Sequence, residues 1–253
     1  MSTRFLAFQL YGPMASWGEI AVGEERDTAD RPTRTAVLGL CAAALGLPRE
    51  AEDKILALNR SLGYAVRVDH PGDIIRDYHT AQAPRGKRAR DKATRRDEIA
   101  YGKLEATLTK RQYRTDAVYS VALWLRPGDA PYDLAAIADA LNSPTFTLYL
   151  GRKSCPLAAP MRPRLIDAHS LREALEAYRL GPILHRYMTD LRRHEPSQGP
   201  LVYWDSDATI PIGIPTAKTT ERWDRLVSRA RWQFARRNES RGLLSPTPSS
   251  SEP

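Results

Sequence analysis

Cysteine and long apolar runs are both scarce in this sequence. The 253 residues include two cysteines, Cys41 and Cys155, which lie far apart and outside any CxxC pair. We therefore expect neither a structural zinc site nor a disulfide framework. No apolar stretch approaches the roughly 20 residues that span a bilayer, and the opening segment MSTRFLAFQL is too short and interrupted for a signal peptide. The sequence thus predicts no metal, no membrane partner and a cytoplasmic location.

Common catalytic and cofactor motifs are also missing. The sequence contains no HExxH, GxSxG or GxGxxG pattern, and no pair of carboxylates stands out as an acid–base couple. The turn GRKSC, residues 151–155, lacks the spacing of a phosphate-binding Walker loop. We therefore expect no cofactor, and the general enzyme interpretation is weakened.

Positive charge is in excess and is concentrated in one segment. The chain carries 38 Lys+Arg and 30 Asp+Glu, a formal net charge of +8. The window from Arg85 to Arg114 holds eleven of the basic residues and four of the acidic ones, a net charge of +7. Such a balance favours a polyanionic partner such as nucleic acid or a membrane surface, although a merely basic soluble enzyme has the same composition.

Hydrophobic periodicity predicts an alternation of strands and helices up to about residue 160. Thr33 is a candidate cap for an apolar helix that ends near Gly46. The predicted elements are a strand at Arg4–Leu10, that helix, a short helix at Arg49–Asn59, strands at Leu62–Asp69, Ile74–Thr80 and DAVYSVALWL, a helix at Tyr132–Leu141, and a strand at Thr145–Leu150. Their order is the βαββαβ order of an α+β, ferredoxin-like (RRM/RAMP) domain. The basic segment is then a thumb hairpin at about residues 81–112, inserted between two core strands.

A smaller α/β extension is predicted after this domain, which we bound at residues 1–160. The extension, residues 161–241, should contain a helix at Leu171–Tyr178, short strands at Leu201–Trp204 and Ile210–Ile214, and a basic helix at Glu221–Arg237. Residues 242–253 include SPTPSSSEP, which is poor in hydrophobic residues and predicts a disordered tail.

Several segments, found in one order, resemble a known protein family. They are GPMASWG, RPTRTAVLGLCAAALGL, RDYHT, DAVYSVALWL and LYLGRKSCPL. Together they resemble the CasD-type subunits of the type I-E CRISPR Cascade complex, which belong to the RAMP superfamily, over residues 4 to 160. The match is weak beyond that point.

The resemblance implies a function that composition does not show. Members of this family have a ferredoxin-like domain with a projecting thumb, hold the 5′ handle of the CRISPR RNA and cap the backbone of the complex. Their implied partners are the CRISPR RNA, the backbone and large subunits of Cascade, and target DNA nearby through the complex. Since another subunit cuts the precursor RNA in this branch, we expect a non-catalytic protein.

The candidate RNA-binding residues come from four segments. Lysine and arginine neutralise phosphates, while an exposed tyrosine can stack on an unpaired base. The candidates are Arg31 and Arg34 at the start of the apolar helix, Tyr78 and His79 in RDYHT, Lys87, Arg88, Lys110, Arg111 and Tyr113 in the basic window, and Arg152, Lys153 and Ser154 in the GRKSC turn. For each segment the alternative is structural: a solvated charged loop, a packed strand, an ordinary turn, or surface arginines.

A metal-independent endoribonuclease that matures CRISPR repeat RNA is the alternative function. Related type I-C subunits cut RNA with tyrosine, lysine and histidine. Here Lys110 and Arg111 are followed by Gln112, so His79 is the only histidine near the proposed RNA face. This disfavours catalysis.

Two further aromatic features remain open. Trp17 could stack a base, but burial in the core is the favoured interpretation. The predicted C-terminal helix interleaves arginines with Trp223, Trp232 and Phe234. Its basic face could meet RNA, DNA or an acidic partner, and the sequence does not choose between them.

Overall fold

The computed structural model describes residues 2–18, 21, 23–84, 92–100, 104–192 and 199–244. The elements are β1 (Thr3–Tyr11), β2 (Met14–Ala15), β3 (Glu25–Arg26), α1 (Arg34–Ala44), α2 (Glu52–Ser61), β4 (Leu62–His70), β5 (Asp73–Pro84), α3 (Arg95–Ala100), β6 (Leu104–Thr115), β7 (Val118–Leu125), α4 (Leu134–Asn142), β8 (Arg164–Ala168), α5 (Leu171–Ala177), α6 (Pro182–Arg192), β9 (Leu201–Asp205), β10 (Lys218–Ser228) and β11 (Gln233–Leu243).

The protein has a mixed α+β architecture that is dominated by an antiparallel sheet. Seven strands lie in the order β10-β11-β9-β4-β7-β1-β8, and every neighbouring pair is antiparallel. Strands from both sides of residue 160 belong to this one sheet. None of the described helices is long and apolar enough to cross a bilayer.

The sheet is covered on both faces, as the alternation along β1 shows. Leu6 and Phe8 belong to the large apolar cluster that includes residues of α1 and α4. Phe5, the residue before them, belongs to a second cluster with Trp124 and with Leu171 of α5. Because successive strand side chains point to opposite faces, β1 supplies both cores. In the sheet β1 lies between β7 and the edge strand β8.

The first helix begins and ends where the sequence predicts. The side-chain oxygen of Thr33 accepts a hydrogen bond from the Ala36 backbone N–H at 3.2 Å. Gly46 has φ of +74° just after the helix, a conformation that glycine adopts without steric cost. The helix is buried over most of its surface, and Cys41 is fully buried within it.

Strands β5 and β6 form a second sheet with the two short strands β2 and β3. The β5/β6 hairpin pairs in continuous register from Asp73 opposite Thr115 to Pro84 opposite Leu104. In sequence it lies between β4 and β7, which are neighbours in the large sheet. Lys87 and Arg88, two of the candidate RNA contacts, fall in residues 85–91, outside the described part of the chain.

One predicted strand is wrong. Residues 145–150 form no strand, and the only pairing there is an isolated bridge between Tyr149 and Pro156. The reason is local: the Thr145 and Phe146 backbone N–H groups donate to carbonyls at the end of α1 instead. The strand that pairs with the outer edge of β1 is β8, Arg164–Ala168.

The predicted basic helix at Glu221–Arg237 is also wrong. This segment is the β10/β11 hairpin, and the burial of β10 alternates residue by residue with exposed Trp223 and half-buried Asp224. Trp223 and Phe234 are eleven positions apart, close to three helical turns, which favoured a helix. In the structure, side chains instead alternate between the two faces with the period of two that is typical of a strand. Residues 210–214 form no strand, α6 was not predicted, and β11 continues to Leu243, into the predicted tail. Residues 245–253 lie outside the described ranges.

Candidate nucleic-acid interface

The solvent face of the β5/β6 hairpin carries a tyrosine between basic residues. Tyr78 lies opposite Lys110 in the antiparallel register, and Arg76 lies opposite Gln112. Residues at positions 76, 78 and 110 therefore share one face of the hairpin. All three are exposed, Tyr78 by 62%. Arg76 was not among the predicted contacts, although its i−2 spacing from Tyr78 in a strand was a usable signal.

Lys110 has one carboxylate neighbour on this face. Its Nζ lies 3.4 Å from the Oε1 of Glu25 on β3, and both side chains are 64% exposed. Ion pairs this exposed contribute little, because water and salt screen them. A phosphate could therefore replace Glu25 as the partner at small cost.

Arg111 and His79 lie on the other face of the hairpin. Arg111 is opposite Asp77, and His79 is opposite Thr109. The Arg111 Nε donates to the Thr109 hydroxyl at 3.3 Å. His79 is half-buried, and its Nδ1 is buried with no hydrogen-bond partner among the described residues. The register thus separates His79 from Tyr78 and Lys110.

At the base of the hairpin the structure brings two predicted residues together. Tyr113 is 8% exposed, and the guanidinium carbon of Arg152 lies 4.8 Å from the centre of its ring. This cation–π contact joins β6 to the GRKSC turn. The Arg152 Nη1 is buried and has no hydrogen-bond partner in the described structure. Tyr113 is therefore a support for Arg152 rather than an exposed stacking surface.

The turn at residues 151–155 is held close to the chain that follows β2. Gly151 has φ of +86°, and a Cβ added there would collide with the backbone carbonyl of Ser16. The Ser16 N–H donates to the Leu150 carbonyl at 3.0 Å, and the Ser16 hydroxyl donates to the Gln112 carbonyl at 3.3 Å. Lys153 and Ser154 are exposed at the tip of the turn. The turn and the hairpin base thus form one continuous basic region.

Arg31 and Arg34 are elsewhere, in the interior. Arg31 is 6% exposed, forms ion pairs with Asp30 and Glu239, and stacks on Tyr203 at 3.6 Å. Burial alone would lower the pKa of Arg31, but attraction to the two carboxylates outweighs it and raises the pKa. These contacts favour the structural alternative for Arg31, because its charge is already matched.

Arg34 is buried in the same way. Its Nε lies 3.2 Å from Asp205, and its Nη2 donates to the carbonyls of Asn59 and Leu62 at 2.6 and 2.8 Å. Burial lowers the pKa of its guanidinium. The position at the start of α1 suggested an anion site, but the anion there is a carboxylate of the protein itself. Arg31 and Arg34 therefore do not belong to the proposed RNA-binding surface.

Two other side chains have defined places. Trp17 is fully buried and meets Tyr119 edge to face, with ring centres 5.8 Å apart, so its predicted burial is confirmed. Arg114 donates from its guanidinium to the carbonyls of Ala29, Pro71 and Gly72 at 3.2 to 3.4 Å. It holds the base of the hairpin to the body. In the described ranges, no three His, Cys, Asp or Glu side chains cluster as a metal site would require.

Comparison with known proteins gives consistent matches. A family model described as CRISPR-associated protein (Cas_Cas5) matches residues 5–238. CRISPR system Cascade subunit CasD of Escherichia coli (strain K12) is 34% identical over 182 residues, which cover 69% of this chain and 76% of that protein. A chain of a CRISPR RNA-guided surveillance complex superposes with a TM-score of 0.60 at 25% identity, covering 97% of this chain and 90% of the other. A crystal structure of a Cas protein gives 0.60 at 27% identity, covering 95% of both chains.

Proposed function

Because the chain belongs to the Cas5 family of CRISPR-associated proteins, we propose that it is a non-catalytic RNA-binding subunit of a type I-E Cascade surveillance complex. It holds the 5′ handle of the CRISPR RNA and caps the backbone of the complex. Its partners are then the guide RNA, the backbone and large subunits, and target DNA close by.

The observation that carries this proposal is the exposed face of the β5/β6 hairpin. Arg76 and Lys110 flank Tyr78 on that face, which combines phosphate neutralisation with a ring on which an unpaired base can stack. In this proposal the hairpin is the thumb of the family. Its base connects to the turn at residues 151–155 through Tyr113 and Arg152.

The proposed domain type is ferredoxin-like. In its support, the four strands β4, β7, β1 and β8 are neighbours in that order and are all antiparallel. Helix α1 lies between β1 and β4 in sequence, and α4 lies between β7 and β8. This is the connectivity of a split βαβ unit repeated twice.

The non-catalytic role rests on the hairpin register. A ribonuclease of the alternative kind needs histidine, tyrosine and lysine around one 2′-hydroxyl. Successive strand residues point to opposite faces, so Tyr78 and His79 diverge, and Lys110 shares the face of Tyr78. The three groups therefore do not converge on one reacting atom, which argues against the endoribonuclease.

Charge reversal on the hairpin tests the RNA-binding role. We expect the double variant Arg76→Glu and Lys110→Glu, co-expressed with its partner subunits, to weaken binding of a 5′-handle RNA. The slope of affinity against salt should fall by about 0.7 per lost phosphate contact on a single strand. Lys54→Glu, an exposed reversal on α2, is the matched control. Unchanged handle binding and unchanged assembly in the double variant would refute the proposal.

A second experiment separates binding from cleavage. The pure protein is incubated with a repeat hairpin RNA in EDTA, and the products are resolved on a denaturing gel. We expect no cleavage. Cleavage that disappears in the variant His79→Ala would instead establish the endoribonuclease.

A further inference from the structure

The turn of the β10/β11 hairpin presents a strained and exposed tryptophan. Trp232 is 60% exposed and has φ of +51°. A bulky residue in the left-handed region is disfavoured by its own side chain, and glycine or asparagine usually occupies such a place. Strained positions of this kind cluster where a protein contacts a ligand. Packing in the core therefore does not explain why a tryptophan occupies this position.

One arginine stacks on this ring, and a second arginine is exposed in the same turn. The guanidinium carbon of Arg229 lies 4.0 Å from the centre of the Trp232 ring. The pKa of Arg229 is lowered, first by burial and then by repulsion from the nearby Arg49. Tyr149 acts on the Arg229 charge in the opposite direction. Arg231 is exposed in the same turn.

The turn is fixed in place. The Arg229 backbone N–H donates to the Glu52 carboxylate at 3.1 Å, and the Arg231 N–H donates to the Ser228 hydroxyl at 3.2 Å. The ring of Phe234 packs against Trp232, with centres 6.0 Å apart. Glu52 belongs to α2, so the turn that carries Arg229 and Arg231 is anchored to that helix.

From these observations we propose that the β10/β11 turn is a second nucleic-acid contact, separate from the β5/β6 hairpin, that takes a single strand. A base stacks on the exposed ring of Trp232, and the neighbouring phosphates lie between Arg49, Arg229 and Arg231. Aromatic stacking beside cations binds single strands with little sequence preference, because every base has a π-face.

The combination of groups favours a nucleic acid over an acidic protein. An acidic peptide would match the arginines but would leave the tryptophan ring without a flat partner. A polynucleotide supplies a planar base and a phosphate in each repeating unit. A second arginine–tryptophan pair lies on the same hairpin, where the guanidinium carbon of Arg236 on β11 is 4.6 Å from the centre of the Trp223 ring on β10, which is 48% exposed. Arg236 also forms an exposed ion pair with Glu221, which water and salt screen. Two exposed arginine–tryptophan pairs on one hairpin suit a ligand that extends over several units.

Binding and photo-crosslinking on the full chain test this site. The probes are 12-residue uridine and deoxyuridine oligonucleotides that carry 5-iodouracil, so that RNA and DNA are compared. We expect Trp232→Gly to weaken binding of at least one probe by about tenfold, the loss of one stacked base. This variant removes the ring while relieving the backbone strain at φ +51°, so misfolding does not account for a loss. Trp232→Phe should retain most of the affinity, and crosslinks should map to Trp232.

Two controls make the result specific. Ile183→Ala, an exposed apolar residue on α6 with 73% exposure, should bind as the unmodified protein does. Lys110→Glu should keep the crosslink at Trp232 even if handle binding falls. This result would separate the contact at Trp232 from the proposed thumb. Unchanged affinity of Trp232→Gly for both probes would overturn the proposal. So would a polyglutamate peptide that loses affinity in this variant while both oligonucleotides keep theirs, since the turn would then be a protein-docking surface.

Discussion

Replacing Asp205 by asparagine removes the negative charge at the centre of a buried arginine cluster. Asp205 is 1% exposed and lies at the end of β9. Its carboxylate is 3.2, 2.7 and 3.2 Å from the guanidinium nitrogens of Arg34, Arg126 and Arg237. It also accepts the Tyr64 backbone N–H at 3.2 Å. One carboxylate thus joins α1, β4, the residue that follows β7, and β11.

The size of the effect follows from which arginines have other partners. Arg126 also pairs with Asp207, and Arg237 also pairs with Asp224 and Glu239. Besides Asp205, the hydrogen-bond partners of Arg34 among the described residues are backbone carbonyls, and its charge also acts on Asp207. The variant therefore leaves the Arg34 guanidinium buried without a directly bonded carboxylate, which costs about 3–5 kcal/mol. Because typical domains are stable by about 5–15 kcal/mol, this is a large part of the total.

Urea denaturation followed by circular dichroism measures the loss. We expect the midpoint to fall with little change in slope, because the surface exposed on unfolding stays the same. Adding Arg34→Met should recover at least about 1 kcal/mol, since the unmatched charge is then gone. Asp167→Asn is the chemical control: Asp167 pairs with Arg4 on the surface, and its midpoint should not move. A loss below about 1 kcal/mol for Asp205→Asn would refute this account of the cluster.

Three further outcomes are expected. Gly151→Ala should destabilise the protein by more than about 1 kcal/mol in thermal melts, because its Cβ collides with backbone, whereas Gly23→Ala, with φ of +76° but open space, should cost less. Burial raises the pKa of the Cys41 thiol to about 12 from an unperturbed 9.0. The thiol therefore ionises at lower pH in the unfolded chain than in the folded one. The free energy of unfolding, measured by denaturation at several pH values, should fall as pH rises from about 9 towards 12, by up to about 1.4 kcal/mol per pH unit. The same dependence on pH in Cys41→Ala would contradict this. Tyr113→Ala should reduce handle-RNA binding by loosening the 151–155 turn, while Tyr113→Phe, which keeps the ring, should bind normally in the same assay.

The N-terminal two thirds of the fold were predictable because local signals and packing agree there. Thr33 caps α1 through its side chain, and Gly46 ends the helix with a positive φ. The mostly apolar run in β1 matches a strand with six consecutive buried residues, 5–10. The charged hairpin was visible as a segment with little to bury, which is why it cannot form part of a core.

The errors lie where tertiary pairing decides between two local possibilities. Residues 145–150 have strand-forming side chains, but their backbone hydrogen bonds go to the end of α1. At residues 221–237, tryptophans and arginines are compatible with a helix or a strand. The segment forms a hairpin, and the end of β11 at residues 239–243 pairs with β9, which is 34 to 42 positions earlier in the chain. A local sequence pattern does not reveal a pairing over that distance.

Arginine has two distinct roles in this chain, and only the structure separates them. Arg31, Arg34 and Arg237 are matched by buried carboxylates, so a nucleic acid cannot use their charge without unfolding the cluster. By contrast, Arg76 and Lys110 on the β5/β6 hairpin and Arg231 at the β10/β11 turn are exposed. The number of counterions released on binding depends on how many phosphates the protein neutralises. The salt dependence of binding should therefore report these two surfaces, and the net charge of +8 by itself says little about either of them.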